Sequence, residues 1–153
     1  MALVSDAGTP GIADPGFPLI REALAQGIEI IPIPGPSALI TALSAAGLPT
    51  HRFLFFGFPS PKKEASQKLL ESLKDESATL IFYLPSRKLP AFLKIIQETL
   101  GERRVVIARE LTKVHEEFIR GNPTELLRAL GKKPLRGELT LLVEGRQKKS
   151  LRP

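Results

Sequence analysis

The chain is 153 residues long, 42% hydrophobic and 25% charged, with a net charge of +6. Those fractions exclude wholesale disorder, a collagen-like repeat and a coiled coil, and the length suffices for a sizeable core. The absence of cysteine removes disulfides, thiol catalysis, thiolate zinc and iron–sulfur clusters, and two histidines are too few for a histidine-rich metal site. A reducing, cytoplasmic setting fits that composition. No apolar run is long enough to span a bilayer, and the opening MALVSDAGTP lacks the basic and apolar regions of a signal peptide.

In chain order, Ala2-Leu3-Val4 reads as a short strand that stops at Ser5-Asp6. Asp14-Pro15 reads as an N-cap followed by a first-turn proline, with Leu19, Ile20, Ala23 and Leu24 at helical spacing and Gly27 as the stop. Ile28 to Ile33 reads as a buried parallel strand, and Ser37 caps an apolar helix from Ala38 to Ala46 that stops at Gly47. Leu48-Pro49-Thr50 reads as a linker. Beyond it come a strand over Phe53 to Phe58 and a helix opened by Ser60-Pro61, with Ala65, Leu69, Leu70 and Leu73 apolar. A strand over Thr79 to Leu84 follows, then a helix capped by Ser86 that runs to Leu100-Gly101. Strands over Arg104 to Ala108 and Glu117 to Arg120, a helix from Asn122-Pro123 to Gly131 and a last strand over Leu139 to Val143 complete the pattern.

The predicted fold class is α/β. A partial parallel-sheet domain over 1–48 precedes a mixed-sheet α/β domain over 49–147 with the order β-α-β-α-β-β-α-β, and 148–153 form a basic tail. Two strands and two helices are too few to cover an apolar strand and an apolar helix on both sides. The first segment therefore reads as the back half of a domain, with an exposed apolar patch that dimerisation or a swapped element could cover.

Charge divides the chain in the same place. Arg21 stands alone against Asp6, Asp14, Glu22 and Glu29 in residues 1–50, a net −3, which leaves +9 on residues 51–153. A basic second half suits a polyanion, of which nucleic acid is the commonest, or a merely lysine-rich soluble surface.

Two loops stand where α/β sheets bind ligands, just past strand ends. Ser5-Asp6-Ala7-Gly8-Thr9-Pro10-Gly11 lets a ligand approach the backbone, with Asp6 as an acceptor. It is neither G-x-G-x-x-G nor a P-loop and is also readable as an ordinary turn. Pro34-Gly35-Pro36-Ser37-Ala38 presents helix N–H groups. In the second half, Arg87-Lys88 and Arg109 to Lys113 place bases at strand ends, suited to a polyanion or to a solvated surface and a local Arg109–Glu110 ion pair. His51 and His115 read as surface or structural residues.

The runs ALVSDAGTPGIADPG, PGPSALITALSAAGLP, TLIFYLPSRKL, VVIARELTK and GELTLLVEG, in that order, resemble the small-subunit ribosomal RNA (cytidine-2′-O)-methyltransferases of the tetrapyrrole methylase superfamily. The resemblance covers residues 2–145. Other superfamily members, the tetrapyrrole methylases and diphthine synthases, carry a glycine–aspartate–proline loop where this chain has Ser5 to Pro10. The resemblance implies two α/β domains with S-adenosylmethionine folded between them. It places cofactor contacts at Ser5, Asp6, Ala7, Gly8, Thr9, Pro36, Ser37, Ala38, Tyr83, Leu84, Leu111, Glu138 and Leu139. Methyl transfer to a cytidine ribose 2′-oxygen of small-subunit ribosomal RNA, by a metal-free homodimer, is the implied activity.

An activated methyl needs in-line positioning and an acceptor for the hydroxyl proton, and Asp6 and Glu110 are the candidates. Arg87, Lys88, Arg109 and Lys113 are the candidates for holding RNA phosphates. The family's opening strand, cofactor loop and C-terminal extension have no counterpart in these residues. Where the family commonly reads Tyr-Glu-Ser-Pro-His-Arg, the chain reads Tyr83-Leu84-Pro85-Ser86-Arg87-Lys88. Two other readings share the pattern: a non-catalytic RNA-binding or dimerisation module, and a methylase of small tetrapyrroles.

Overall fold

Among the described residues, hydrogen-bonded strands occur only from Phe53 onward. The computed structural model describes residues 1–131 and 135–147, so the basic tail expected at 148–153 lies outside the described residues. The elements are α1 (Phe17–Ala25), α2 (Ala38–Ala46), β1 (Phe53–Phe55), α3 (Lys63–Ser72), β2 (Thr79–Pro85), a 3₁₀ turn (Ser86–Lys88), α4 (Leu89–Leu100), β3 (Val105–Arg109), β4 (Glu117–Gly121), α5 (Pro123–Leu130) and β5 (Glu138–Val143). The five strands form one mixed sheet in the order β1-β2-β5-β3-β4, parallel only between β1 and β2.

Side-chain alternation along the strands builds two cores. Leu80, Phe82 and Leu84 of β2, Val105 and Ile107 of β3, and Leu139, Leu141 and Val143 of β5 pack under α3, α4 and α5. Ile81, Val106, Ala108 and Leu142 face the other way, where Leu39, Ala42, Leu43 and Ala46 of α2 cover them. Covered on both faces, β2, β3 and β5 read as continuous apolar runs. The helix α2 thus packs on the sheet of the following residues. One face is buried and Ile40 is 50% exposed, so it is not enclosed all round as its composition suggests. Arg120 fixes its C-terminal end by donating to the carbonyls of Ala45 and Ala46.

The two strands expected at 2–4 and 28–33 do not form. Neither segment has a ladder partner among the described residues, and an apolar run without one cannot satisfy its backbone as a strand. Val4, Phe17, Leu24, Ile31 and Ile33 of this segment are all exposed. The helix expected from Asp14-Pro15 starts at Phe17 behind Gly16, whose φ of 150° favours glycine, with proline in the first turn.

Elsewhere boundaries move by a few residues. Strand β1 is regular only to Phe55, yet contact with β2 continues, because the Phe56 N–H donates to the Ile81 carbonyl at 3.0 Å and the Tyr83 N–H donates to the carbonyl of Gly57, itself at φ 61°, at 2.8 Å. In α3 the covered side chains are Ser66 and Leu70, Ala65 is exposed, and the Ser66 hydroxyl donates to the Ser60 carbonyl at 2.9 Å. The Asn122 cap holds as read. Its Oδ1 accepts from the Glu125 N–H at 2.9 Å, and Glu125 Oε2 accepts from the Asn122 N–H at 3.0 Å.

Candidate functional site

Antiparallel pairing brings three strand ends to one edge of the sheet. Pro85 at the end of β2 lies opposite Glu138 at the start of β5, and Arg109 at the end of β3 lies opposite Leu139. The N-terminus of α2 reaches the same region, because the Leu39 N–H donates to the Tyr83 hydroxyl at 3.1 Å. The Thr9 hydroxyl in turn donates to the Pro36 carbonyl at 3.0 Å, docking the first loop onto the second. Ser5 curls that first loop by sharing its hydroxyl between the Ala7 and Gly8 carbonyls, both at 3.3 Å. A run of contacts therefore links the Ser5–Thr9 loop, Pro36–Ala38, Tyr83 and the strand ends that carry Glu138 and Glu110.

The expected contact residues are not equivalent. Tyr83 and Leu111 sit half-buried on the α2 side of the sheet. Leu84 and Leu139 alternate to the opposite side and are buried under α4, so they can offer a ligand only backbone atoms. Asp6, Ala7, Gly8, Pro36, Ala38 and Glu138 are exposed, while Ser5, Thr9 and Ser37 are half-exposed. Burial pushes the Tyr83 hydroxyl pKa up, opposed by the Leu39 N–H and reinforced by the Asp14 carboxylate. Phe55 and Phe58 set their rings edge-on to Tyr83 at 4.8 and 5.6 Å. Those two rings and Asp14 are site residues that sequence reasoning missed; the aromatic cluster of 53–58 was the available signal.

Glu110 is locked rather than free. It adopts φ 49°, and Thr112 adopts φ 66°, both in the left-handed region. Its N–H donates to the Glu138 carbonyl at 3.3 Å, and the Glu138 N–H donates back to Glu110 Oε1 at 3.1 Å. Lys113 Nζ lies 3.3 Å from the same oxygen. The Glu138 N–H, and after it Lys113, hold this carboxyl below the usual glutamate range. Gly137, at φ 91°, is required beneath it, because any Cβ there would overlap the carboxylate. The lock pins the 110–113 loop to the start of β5.

The four candidate cations divide. Arg109 is engaged, with Nε donating to the Arg136 carbonyl at 2.8 Å and Nη1 to Glu117 at 2.9 Å across the β3–β4 pair. Its ion-pair partner is thus Glu117, and the local Arg109–Glu110 pair does not form. Lys113 is spent on Glu110. Arg87 is exposed and Lys88 half-buried, and neither has an ion-pair partner among the described residues. Among those residues no three His, Asp or Glu side chains gather into a metal-sized cluster.

The sequence matches the profile of the tetrapyrrole (corrin/porphyrin) methylases over residues 1–127. The chain belongs to the tetrapyrrole methylase family. Curated relatives named ribosomal RNA small subunit methyltransferase I are similar to this chain along nearly all of its length. That of Pseudomonas aeruginosa is 48% identical over 96% of the chain and 53% of its own length. The Halalkalibacterium halodurans protein is 46% identical over 97% of the chain and 52% of its own length. The Thermotoga maritima protein is 42% identical over 96% of the chain and 66% of its own length. The chain thus spans about half to two thirds of these relatives. The crystal structure of the methyltransferase CobJ superposes with a TM-score of 0.65 at 24% identity, covering 92% of this chain and 64% of that one. That likeness speaks for the methylase fold alone.

Proposed function

We propose that the protein acts in S-adenosylmethionine-dependent methylation of a ribose 2′-oxygen on a cytidine of small-subunit ribosomal RNA. The observation that carries this reading is the run of contacts joining the Ser5–Thr9 loop, the N-terminus of α2, Tyr83 and the Glu110–Glu138 lock, in a chain similar to rRNA methyltransferases along nearly its whole length. The donor set fits the cofactor. Exposed backbone of Ala7 and Gly8 permits close approach, α2 presents first-turn N–H groups, Leu111 supplies an apolar contact, and the carboxylate of Glu138 suits a sulfonium cation.

When bound, S-adenosylmethionine supplies a methyl group already activated on a sulfonium. Transfer of that methyl to the ribose oxygen would require a residue of this chain to accept the hydroxyl proton. Asp6 is the acceptor of choice, since Glu110 Oε1 is committed to Glu138 and Lys113. Glu110 then serves to position the loop that carries Leu111. A cytoplasmic homodimer completes the reading, and the exposed apolar residues of α1 support a self-association surface.

The test is calorimetric titration of S-adenosylmethionine into the 153-residue chain, then methyl transfer to small-subunit RNA. Micromolar binding that survives Asp6→Ala, with turnover lost in that variant, supports the assignment. Turnover undiminished by Asp6→Ala removes the acceptor role. No heat of binding at all removes the contact residues of this chain as a sufficient cofactor site.

A further inference from the structure

We propose that the groove between the 3₁₀ turn, α4 and the end of α5 docks a single-stranded segment of RNA, with Arg87 and Lys94 gripping phosphates and an aliphatic floor receiving an unstacked base. The proposal rests on the RNA reading above and adds where the strand lies.

The groove encloses about 370 Å³ over Pro90, Leu127, Leu130 and Leu135, with Arg87 and Lys94 on its rim. Both cations are exposed, neither has an ion-pair partner among the described residues, and no carboxylate lines the groove. A neighbouring cavity of about 570 Å³ shares Leu130 and Leu135 and also contains arginine, but Glu117 lines it and neutralises Arg109. The smaller groove thus carries two unpaired cations and no carboxylate, whereas the neighbouring cavity mixes the Arg109–Glu117 pair with Arg136. Unpaired cations beside an apolar floor suit single-stranded RNA, whose phosphates need charge and whose splayed bases need an apolar face. A duplex offers no free base to such a floor.

The location also suits the reaction. The Ser86 N–H donates to the Gly137 carbonyl at 3.2 Å, so the rim of the groove adjoins the Glu110–Gly137–Glu138 lock. Leu127, Leu130 and Leu135 pack on the α4 side of the sheet, whereas Tyr83 and Leu111 lie on the α2 side. The groove and the candidate cofactor residues thus meet at the Pro85–Glu138 edge, and a strand lying in the groove passes over that edge to present a ribose to those residues.

The experiment measures fluorescence anisotropy of a labelled single-stranded oligoribonucleotide on the whole chain across a salt series, with S-adenosylmethionine titrated separately. Arg87→Glu and Lys94→Glu should each weaken RNA binding about tenfold and lower the salt slope by about one, leaving cofactor affinity unchanged. Lys68→Glu is the control. It stands exposed on α3, which packs on α4 in the same layer as α5, and should change RNA affinity less than about twofold. Unchanged RNA binding in both rim variants overturns the groove, as does an equal loss in Lys68→Glu. Cofactor binding without RNA binding by the parent chain overturns the groove and spares the candidate cofactor site. Groove-dependent RNA binding without cofactor binding does the reverse.

Discussion

Two apolar runs of this chain have opposite fates. Ile28 to Ile33 and Thr79 to Leu84 are similar in length and both rich in residues that favour strands. The second lies between β1 and β5, and Leu80, Ile81 and Phe82 are completely buried. The first joins no sheet, and Ile31 and Ile33 are 72% and 78% exposed. The helices repeat the contrast: α4 buries six side chains and α1 none. Composition makes a strand possible, but a neighbour on each side makes it one. Pro32 weakens the first run further by removing a donor.

The strongest way to break this comparison is a matched pair of truncations. Phe82 is buried against Phe56 and Phe92, with ring centroids 5.1 and 5.2 Å away. Phe82→Ala should cost about 3–5 kcal/mol in urea unfolding. Ile31→Ala should move the same curve by less than about 0.5 kcal/mol. A comparable loss from Ile31 would show that the first region folds with the sheet.

The comparison also explains what the sequence disclosed. The order of elements from β1 to β5 was legible because each carries local punctuation. Examples are the Asn122–Glu125 capping box of α5 and the glycine at the end of α4. The unformed strands were misread because periodicity reports only what a segment could bury.

In the site, the convergence of loops was legible, since both first-half loops follow apolar runs and open helices. The facing of Leu84 and Leu139 follows from alternation, which puts them opposite to Tyr83 once its side is known. The partner of Arg109 depends on hairpin register, which pairs it with Glu117. The Glu110 lock was not legible. A left-handed glutamate over a glycine 27 positions later arises only when β5 lies beside β3.

A smaller effect probes how α2 is held to the sheet. Tyr83→Phe removes the acceptor of the Leu39 N–H and should cost about 1–2 kcal/mol. Amide exchange should quicken first in α2 and leave β5 protected. Equal acceleration in both would mean that α2 and the sheet open as one unit. Smaller again is Asn122→Ala, which removes half of the capping box of α5 and should cost about 1 kcal/mol, with Asn122→Asp largely neutral. A neutral alanine variant would place the stability of α5 in Leu126 and its packing rather than in its cap.

The finest distinction concerns Glu110, which ties the end of β3 to the start of β5. Its folded pKa lies below the ordinary value, so its contribution is present at pH above that value and fades as pH falls through the acid range. Glu110→Gln keeps an oxygen for the Glu138 N–H but loses the charge that faces Lys113. The variant should therefore show a shallower loss of urea stability between about pH 6 and pH 3. The difference should be modest, because ion pairs at a surface contribute little. An acid limb identical to that of the parent would mean that the lock acts through backbone geometry alone. In that case Gly137→Ala, which displaces the carboxylate without removing it, should disturb cofactor binding more than Glu110→Gln does.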